Sequence, residues 1–359
     1  MYCVHSTPTE KMVKGSRKET NQAYRFTFSK LVTIIVLKRT NKGELMRIKT
    51  KGIHHITAMV GNPQENLDFY GTVLGLRFVK KTVNFDDPGT YHFYFGNESG
   101  APGTIITFFP FEGIQQGKVG AGQVGTTAYA IPAGAYDFWK NRLTAKDVMF
   151  EEAERFGEKQ LVFKDPHGLQ IELVERTEGP NSRFEIDGIS TDVAIKGFAG
   201  ATLLSHDPTD TARLLTEAFG LTLAKRSETM DRYAAAGEFG NTVDVLHANV
   251  PVGRPGAGTV HHIAWRSDDQ ADQLDWMKQI NAFGLMTTEV KDRNYFTSIY
   301  FHDRGRILHE IATDTPGFAV DEAFEALGEE LKLPEQFEAH RATIEGHVAP
   351  ITLPKGRLV

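Results

Sequence analysis

One pattern recurs four times along this chain, and a fourfold repeat restricts the architecture more than any local motif can. Residues 52–112 read as a strand (GIHHITAMV), a helix (PQENLDFYGTV) and three further strands (LRFVKKTVNF, TYHFYFG, GTIITFFPF). Residues 125–176, 196–248 and 259–314 repeat that order, with first strands TTAYAI, GATLLS and VHHIAWRS. Alternating apolar and polar residues mark the strands; wider apolar spacing marks the helices. Two helix-to-strand junctions match, VLGLRFV and AFGLTLA, each with a glycine where a helix ends in the left-handed conformation. Two closing hairpins match as well, KDPHGLQIELVE and HDRGRILHEIAT, each a turn signal leading into an apolar strand with a carboxylate. The fold class is therefore read as α+β, with four βαβββ modules in two pairs forming open, barrel-like sheets.

At 359 residues the chain exceeds what one core usually serves. Taken in order, 46–180 is an N-terminal pair of modules, 193–315 a C-terminal pair, and the polar stretch 180–192 the linker. Beyond residue 316 the strand alternation stops. Residues 320–331 read as an amphipathic helix that Pro334 ends, and 337–346 as a second helix, so 316–359 is expected to be a helical tail over the barrel mouths or against a second subunit.

Charge is unevenly spread. Residues 1–45 hold nine Lys or Arg against three Asp or Glu, and the remainder holds 31 against 43. The basic stretch is read as an extension outside the folded unit, with Met46 as an alternative start. An acidic body argues against a nucleic-acid partner. No apolar run approaches the roughly 20 residues that cross a membrane, the longest candidate being 31–37. Cys3 is the only cysteine, which rules out an internal disulfide and makes the cytoplasm the expected location.

Chemistry concentrates in two places. His54 and His55 sit in the first strand of module one, and His261 and His262 at the same place in module four, about two hundred residues later. Glu310 lies in the last strand of module four. Imidazoles and a carboxylate buried in one interior need a partner, because an unpaired buried charge is costly. A divalent metal is the partner this pattern points to. Glu172 holds the place of Glu310 in module two without a histidine strand and is read as structural, as is His247; His92, His167, His302 and His309 are assigned surface or turn positions. Ligands drawn from modules one and four require those two modules to share an interior, leaving modules two and three as a metal-free partner.

The HHIT, HHIA and RILHEIA strands on βαβββ units resemble the vicinal oxygen chelate superfamily, which includes glyoxalase I, fosfomycin-resistance enzymes and extradiol dioxygenases. The stretches LGLRFVKKTVNFDDPGTYHFYFG, PGTIITFFPF, DRNYFTSIYFHDRGR and LGEELKLPEQFEAHR are similar to ring-cleaving dioxygenases that act on hydroquinones. That resemblance implies Fe(II), with Mn(II) also admitted, held by His55, His262 and Glu310, and a pocket that uses His54, Thr57, His261, Arg293 and Tyr300. It implies a small aromatic substrate and O2 as partners, and it allows a homo-oligomer.

Two histidines and one carboxylate leave three positions of an octahedral ion open, as non-haem Fe(II) oxygenases require. A closed four-ligand zinc site offers no such vacancy. Strand alternation places Ile53 and Thr57 with His55, Val260 and Ala264 with His262, and Leu308 and Ala312 with Glu310. His54 and His261 then face away unless a bulge intervenes. Arg293 and Tyr300 have opposite parity, so the chain must bend between them if both face the pocket. The expected activity is Fe(II)-dependent insertion of both atoms of O2 into a dihydroxyaromatic ring. The alternatives are a glyoxalase-like isomerase or lyase, which typically carries an extra carboxylate that TIITFFPF lacks, and a non-catalytic aromatic-binding resistance protein.

Overall fold

The computed structural model describes residues 48–359, so the reading of 1–45 lies outside the described residues. Module one comprises β1 (Ile53–Val60), a helix Pro63–Leu67 that widens into a π-helical turn Asp68–Val73, β2 (Arg77–Val83), β3 (Tyr91–Gly96) and β4 (Ile105–Pro110). Module two comprises β5 (Gln123–Pro132), helix Tyr136–Ala145, β6 (Phe150–Arg155), β7 (Glu158–Lys164) and β8 (Gln170–Arg176). After a short β9 (Phe184–Glu185), module three has β10 (Gly197–Leu204), helix Pro208–Arg213 with its own π turn Leu214–Ala218, β11 (Thr222–Arg226), β12 (Met230–Ala234) and β13 (Thr242–Leu246). Module four has β14 (Thr259–Ser267), helix Gln270–Phe283, β15 (Lys291–Asp292), β16 (Phe296–His302) and β17 (Leu308–Pro316); β18 (Arg357–Leu358) closes the chain.

Local chemistry sets the element ends. Asp207 and Asp269 cap the helices of modules three and four, accepting from the Asp210 and Asp272 amides. Gly75 and Gly220 follow the π turns at φ 71° and 74°, a conformation any side chain would strain, as the matching junctions predict.

Two curled, open sheets of eight strands result, in the orders β15-β16-β17-β14-β1-β4-β3-β2 and β11-β12-β13-β10-β5-β8-β7-β6. Modules one and four thus form one sheet and modules two and three the other. Consecutive modules, grouped by sequence into 46–180 and 193–315, fall in different sheets. The reason is at the seams: β1 pairs with β14 and β5 with β10, antiparallel along fully apolar backs, and these long-range pairings outweigh adjacency in sequence. Ile56, Ala58 and Val60 of β1, Ile263 and Trp265 of β14, and Trp139, Phe219 and Trp276 from the helical segments share one continuous core on the backs of the sheets.

Alternation along the seam is broken twice. Ile53 pairs with Trp265 and His55 with Ala264, so His54 is an extra residue; Thr57 pairs with His262 and Ala58 with Val260, so His261 is another. Ile53 and Val260 therefore turn into the core rather than sharing the faces of His55 and His262, a correction to simple alternation. Ala199 and Gly125 are the extra residues at the equivalent places of the other sheet.

The tail differs from expectation in its first half. No α-helix spans 320–331, only the 3-10 turns Phe318–Val320 and Phe324–Ala326. Cations on β2 hold the segment open. Lys80, fully buried, donates to Asp321 at 2.5 Å and to Glu322, while Arg77 donates to the Phe324 and Glu325 carbonyls at 2.6 and 2.9 Å. Two short helices, Glu335–Glu338 and Arg341–His347, stand where one was expected at 337–346. Among the described residues, no helix is long and apolar enough to cross a membrane.

Candidate metal centre

Three neighbouring strands, β1, β14 and β17, carry His55, His262 and Glu310 to one point on the concave face of the first sheet. Register makes this inevitable: His55 sits opposite Ala264, and Ala264 opposite Glu310, so the small Ala264 leaves the space into which the flanking donors reach. The His55 and His262 Nε2 atoms lie 3.3 Å apart, and Glu310 Oε2 lies 3.3 and 2.8 Å from them. All three residues are buried.

The bulges decide how the paired histidines meet. His54 Nδ1 lies 2.9 Å from His55 Nδ1, and His261 Nδ1 2.8 Å from His262 Nδ1. His54 Nε2 is 3.1 Å from the Thr313 carbonyl, which only accepts, so this nitrogen carries the proton. Burial, followed by the neighbouring His55, holds His54 well below the ordinary imidazole range and keeps it neutral. Its Nδ1 must then accept from His55, which fixes the His55 lone pair on Nε2, aimed at Glu310. His261 is the solvent-exposed member of its pair; packing at the cavity wall and the nearby His262 pull it down to about 4, so it can accept from His262 in the same way.

Burial pushes the Glu310 carboxyl up, but His55 and His262 outweigh it and hold the group well below the usual carboxylate range. Its Oε1 accepts from Ser298, whereas Oε2 is aligned for a hydrogen bond with nothing. Two imidazole lone pairs and an orphaned carboxylate oxygen therefore converge at one buried point. A cation about 2.1 Å from each, in mutually perpendicular directions, would set donors about 3 Å apart, close to the spacing found. The donor set fits a divalent metal.

A cavity of about 300 Å³ opens beside these donors. Phe85, Phe109, Phe111 and Phe296 supply apolar wall, and Arg293 and Tyr300 a polar corner. Arg293 Nε donates to the Tyr300 oxygen at 3.2 Å. The bend that their parity demands is present: Asn294 adopts φ 65° in the turn between β15 and β16, bringing Arg293 back over the strand. Burial and then Glu310 raise the Tyr300 phenol, and Arg293 opposes them only in part. Thr57 lines the cavity two residues beyond His55, and His261 lines it too; His54 lies behind the donors, against the rim of Phe296.

Sequence reasoning missed part of this wall. His92, assigned to the surface, lines the cavity, as does Tyr94. His92 Nδ1 meets the Tyr94 hydroxyl at 2.9 Å and its Nε2 meets Thr107 Oγ1 at 2.9 Å, while Thr107 Oγ1 lies 2.8 Å from Thr57 Oγ1. The available signal was parity, since His92 and Tyr94 alternate with the core residues Phe93 and Phe95. His309, also assigned outside the interior, is fully buried, accepts from Trp265 Nε1 at 3.0 Å and faces Asp303. His167 is buried in its turn beside the Asn62 amide, and His302 is exposed. Glu172 does have a structural partner, Arg155.

The sequence profile of the Glyoxalase/Bleomycin resistance protein/Dioxygenase superfamily matches residues 52–173 and 197–321. The chain belongs to this superfamily. Among its members, MhqO of Bacillus subtilis (strain 168), named as a candidate ring-cleaving dioxygenase, is 56% identical over 305 residues, 85% of this chain and 98% of that protein. The chlorohydroquinone/hydroquinone 1,2-dioxygenase of Sphingobium indicum is 35% identical over 304 residues, covering 81% of this chain and 93% of its own length. A crystal structure of a candidate dioxygenase from B. subtilis superposes with a TM-score of 0.85 at 55% identity, covering 86% of this chain and 99% of that one.

Proposed function

We propose that this superfamily member is an Fe(II)-dependent, extradiol-type dioxygenase that opens the ring of hydroquinone or a related dihydroxyaromatic. The observation that carries the reading is the convergence of His55, His262 and the orphaned Glu310 oxygen at one end of a cavity sized for a single substituted ring. The names of the relatives above support it. Its lone cysteine suits the cytoplasm.

His55, His262 and Glu310 would hold the iron, which when bound supplies Lewis acidity and an electron path between the ring and O2. The chain does the rest. His54, by taking the Nδ1 proton of His55, orients that ligand and raises its basicity. The phenylalanine walls position the ring and exclude water. The Arg293 guanidinium, charged throughout, holds substrate oxygen as negative charge develops there. Tyr300, kept protonated by burial, would give its proton to a substrate-derived oxygen, and Arg293 would steady the phenolate left behind. Both oxygen atoms end in the ring-opened product, so no external reductant is consumed.

A glyoxalase-like isomerase would use a further carboxylate from module one. Thr107, paired with Thr57 as Glu310 is with Ala264, stands there instead. The deciding experiment is oxygen uptake by anaerobically Fe(II)-loaded protein, given hydroquinone and catechol in parallel. One O2 per ring opened is expected, with Glu310→Ala losing both bound iron and activity. Full iron and full activity in Glu310→Ala would overturn the site.

A further inference from the structure

One wall of the cavity carries an unbroken line of hydrogen bonds across β1, β4 and β3. Thr57 pairs with Thr107, and Thr107 with Tyr94, in register; His92 reaches across from its own strand to join the last two. Each of the four groups can both donate and accept. Three of them, Thr57, His92 and Tyr94, border the cavity, while Thr107 is fully buried behind it. Buried polar side chains normally satisfy one another and end there. This line instead begins and ends at the same cavity, one end two residues from His55 and the other at a phenol.

Such a line has two polarities. In one, Tyr94 donates to His92 Nδ1, His92 Nε2 to Thr107, and Thr107 to Thr57, whose own proton is then free toward the cavity. In the other, every bond is reversed, His92 carries its proton on Nδ1, and the free proton is on Tyr94. We propose that Thr57, Thr107, His92 and Tyr94 form a proton relay whose reversal carries a proton between the two ends of the cavity, with His92 as its tautomeric pivot. The proposal rests on the dioxygenase reading for the identity of the substrate.

The step balances without any further reagent. A substrate hydroxyl gives its proton to the Tyr94 oxygen; the Tyr94 proton moves to His92 Nδ1, the His92 Nε2 proton to Thr107, the Thr107 proton to Thr57, and the Thr57 proton to an oxygen at the donor end. No member is left charged. Burial, then the neighbouring His55 and His262, hold His92 well below the ordinary imidazole range, which suits a neutral carrier. Ring opening needs this service, because a hydroxyl must shed its proton as the ring donates electron density and an oxygen elsewhere must gain one.

His92→Gln keeps an acceptor and a donor for Tyr94 and Thr107 but cannot shift a proton between them. Expected is a fall in kcat of about a hundredfold, the scale of a lost proton transfer, with hydroquinone affinity for the anaerobic protein, measured by calorimetry, within threefold of the parent. Tyr94→Phe and Thr107→Val should fall similarly, and pairs of these changes should be no slower than the singles, as for groups acting in one unit. Wild-type kcat in His92→Gln, multiplying effects in the pairs, or a parallel loss of affinity overturns the relay. A second readout needs no turnover: in Zn(II)-loaded, ¹⁵N-histidine protein, the His92 signal, assigned by its absence in His92→Gln, should be neutral and change tautomer on titration with hydroquinone. One fixed tautomer throughout, or a charged ring, overturns the relay even if the enzyme consumes oxygen. Failure of oxygen uptake with a tautomer change intact overturns the dioxygenase reading instead.

Discussion

His54 illustrates how much a single side chain can decide without touching substrate. Its bond to the Thr313 carbonyl dictates the tautomer of His55 through the Nδ1 contact, so the His55 lone pair is set toward the candidate centre. His54→Leu should leave the fold intact and weaken metal affinity by about 10- to 100-fold, the usual effect of losing such an orienting group; competition against a calibrated chelator reads it directly, and unchanged affinity would remove His54 from the account. Asp303 works at the same scale for stability. Burial raises its carboxyl, but His309, the Thr211 hydroxyl and the Ile307 amide outweigh that and lower it. A carboxyl lowered on folding stabilises above its unfolded value of about 3.9 and loses that contribution as pH falls through the lower folded value. Asp303→Asn is therefore expected to destabilise by about 1–3 kcal/mol at pH 7, with the gap narrowing below about pH 4. Urea midpoints at pH 7 and pH 3 test this; an equal gap at both would deny the charge its part.

At the scale of elements, bulges and the tail segment carry the argument. Adjacent histidines on a regular strand point to opposite faces, and only the extra residue in each first strand brings the pair into contact. The tail segment around 321–325 is held by charges rather than by helical propensity. Lys80 is fully enclosed between Asp321, Glu322 and the Tyr295 ring. Glu322→Gln should cost about 3–5 kcal/mol, because it leaves a buried ammonium undercompensated, whereas Lys80→Met combined with Glu322→Gln should recover most of that loss. Thermal unfolding of the three proteins checks both statements, and a double variant no better than the single one would show that the charge balance does not set the tail.

At the scale of the whole molecule, the two sheets repeat one design with different fillings. Glu172 faces Ala128 on β5 just as Glu310 faces Ala264 on β14, but Thr126 and Gly200 stand where the first sheet has His262 and His55. Arg155 reaches Glu172 and, at 3.0 Å, Asp244, while Arg232 bridges Asp244 and Glu158 at 2.7 and 2.5 Å. Guanidinium groups thus occupy the role a cation takes in the first sheet. One metal per chain is expected by elemental analysis, with Glu172→Ala lowering stability but not metal content and Glu310→Ala losing the metal. Chelation should lower the melting temperature of the parent, since an ion bound only to the folded chain stabilises it by mass action. Metal loss in Glu172→Ala would mean that the second sheet holds a site of its own.

The amino-acid sequence by itself determined the four modules, their glycine junctions, the two HH pairs and Glu310, because these follow from local periodicity and from residue types recurring at matching places; the choice of His55 and His262 within the pairs came from the family resemblance. From those donors it also implied that modules one and four share an interior, and the β1–β14 seam agrees. Only the tertiary structure decided the rest. Bulges at His54 and His261 arise from pairing between strands two hundred residues apart, and they overturn the faces that alternation assigns to Ile53 and Val260. Strand parity sets His92 on the face opposite the core residues Phe93 and Phe95, but that this face borders the cavity depends on pairing with other strands, among them β4 with its partner Thr107. The stretch 320–331 has helical spacing, yet buried cations on β2 pull it straight, and no window of sequence contains that force.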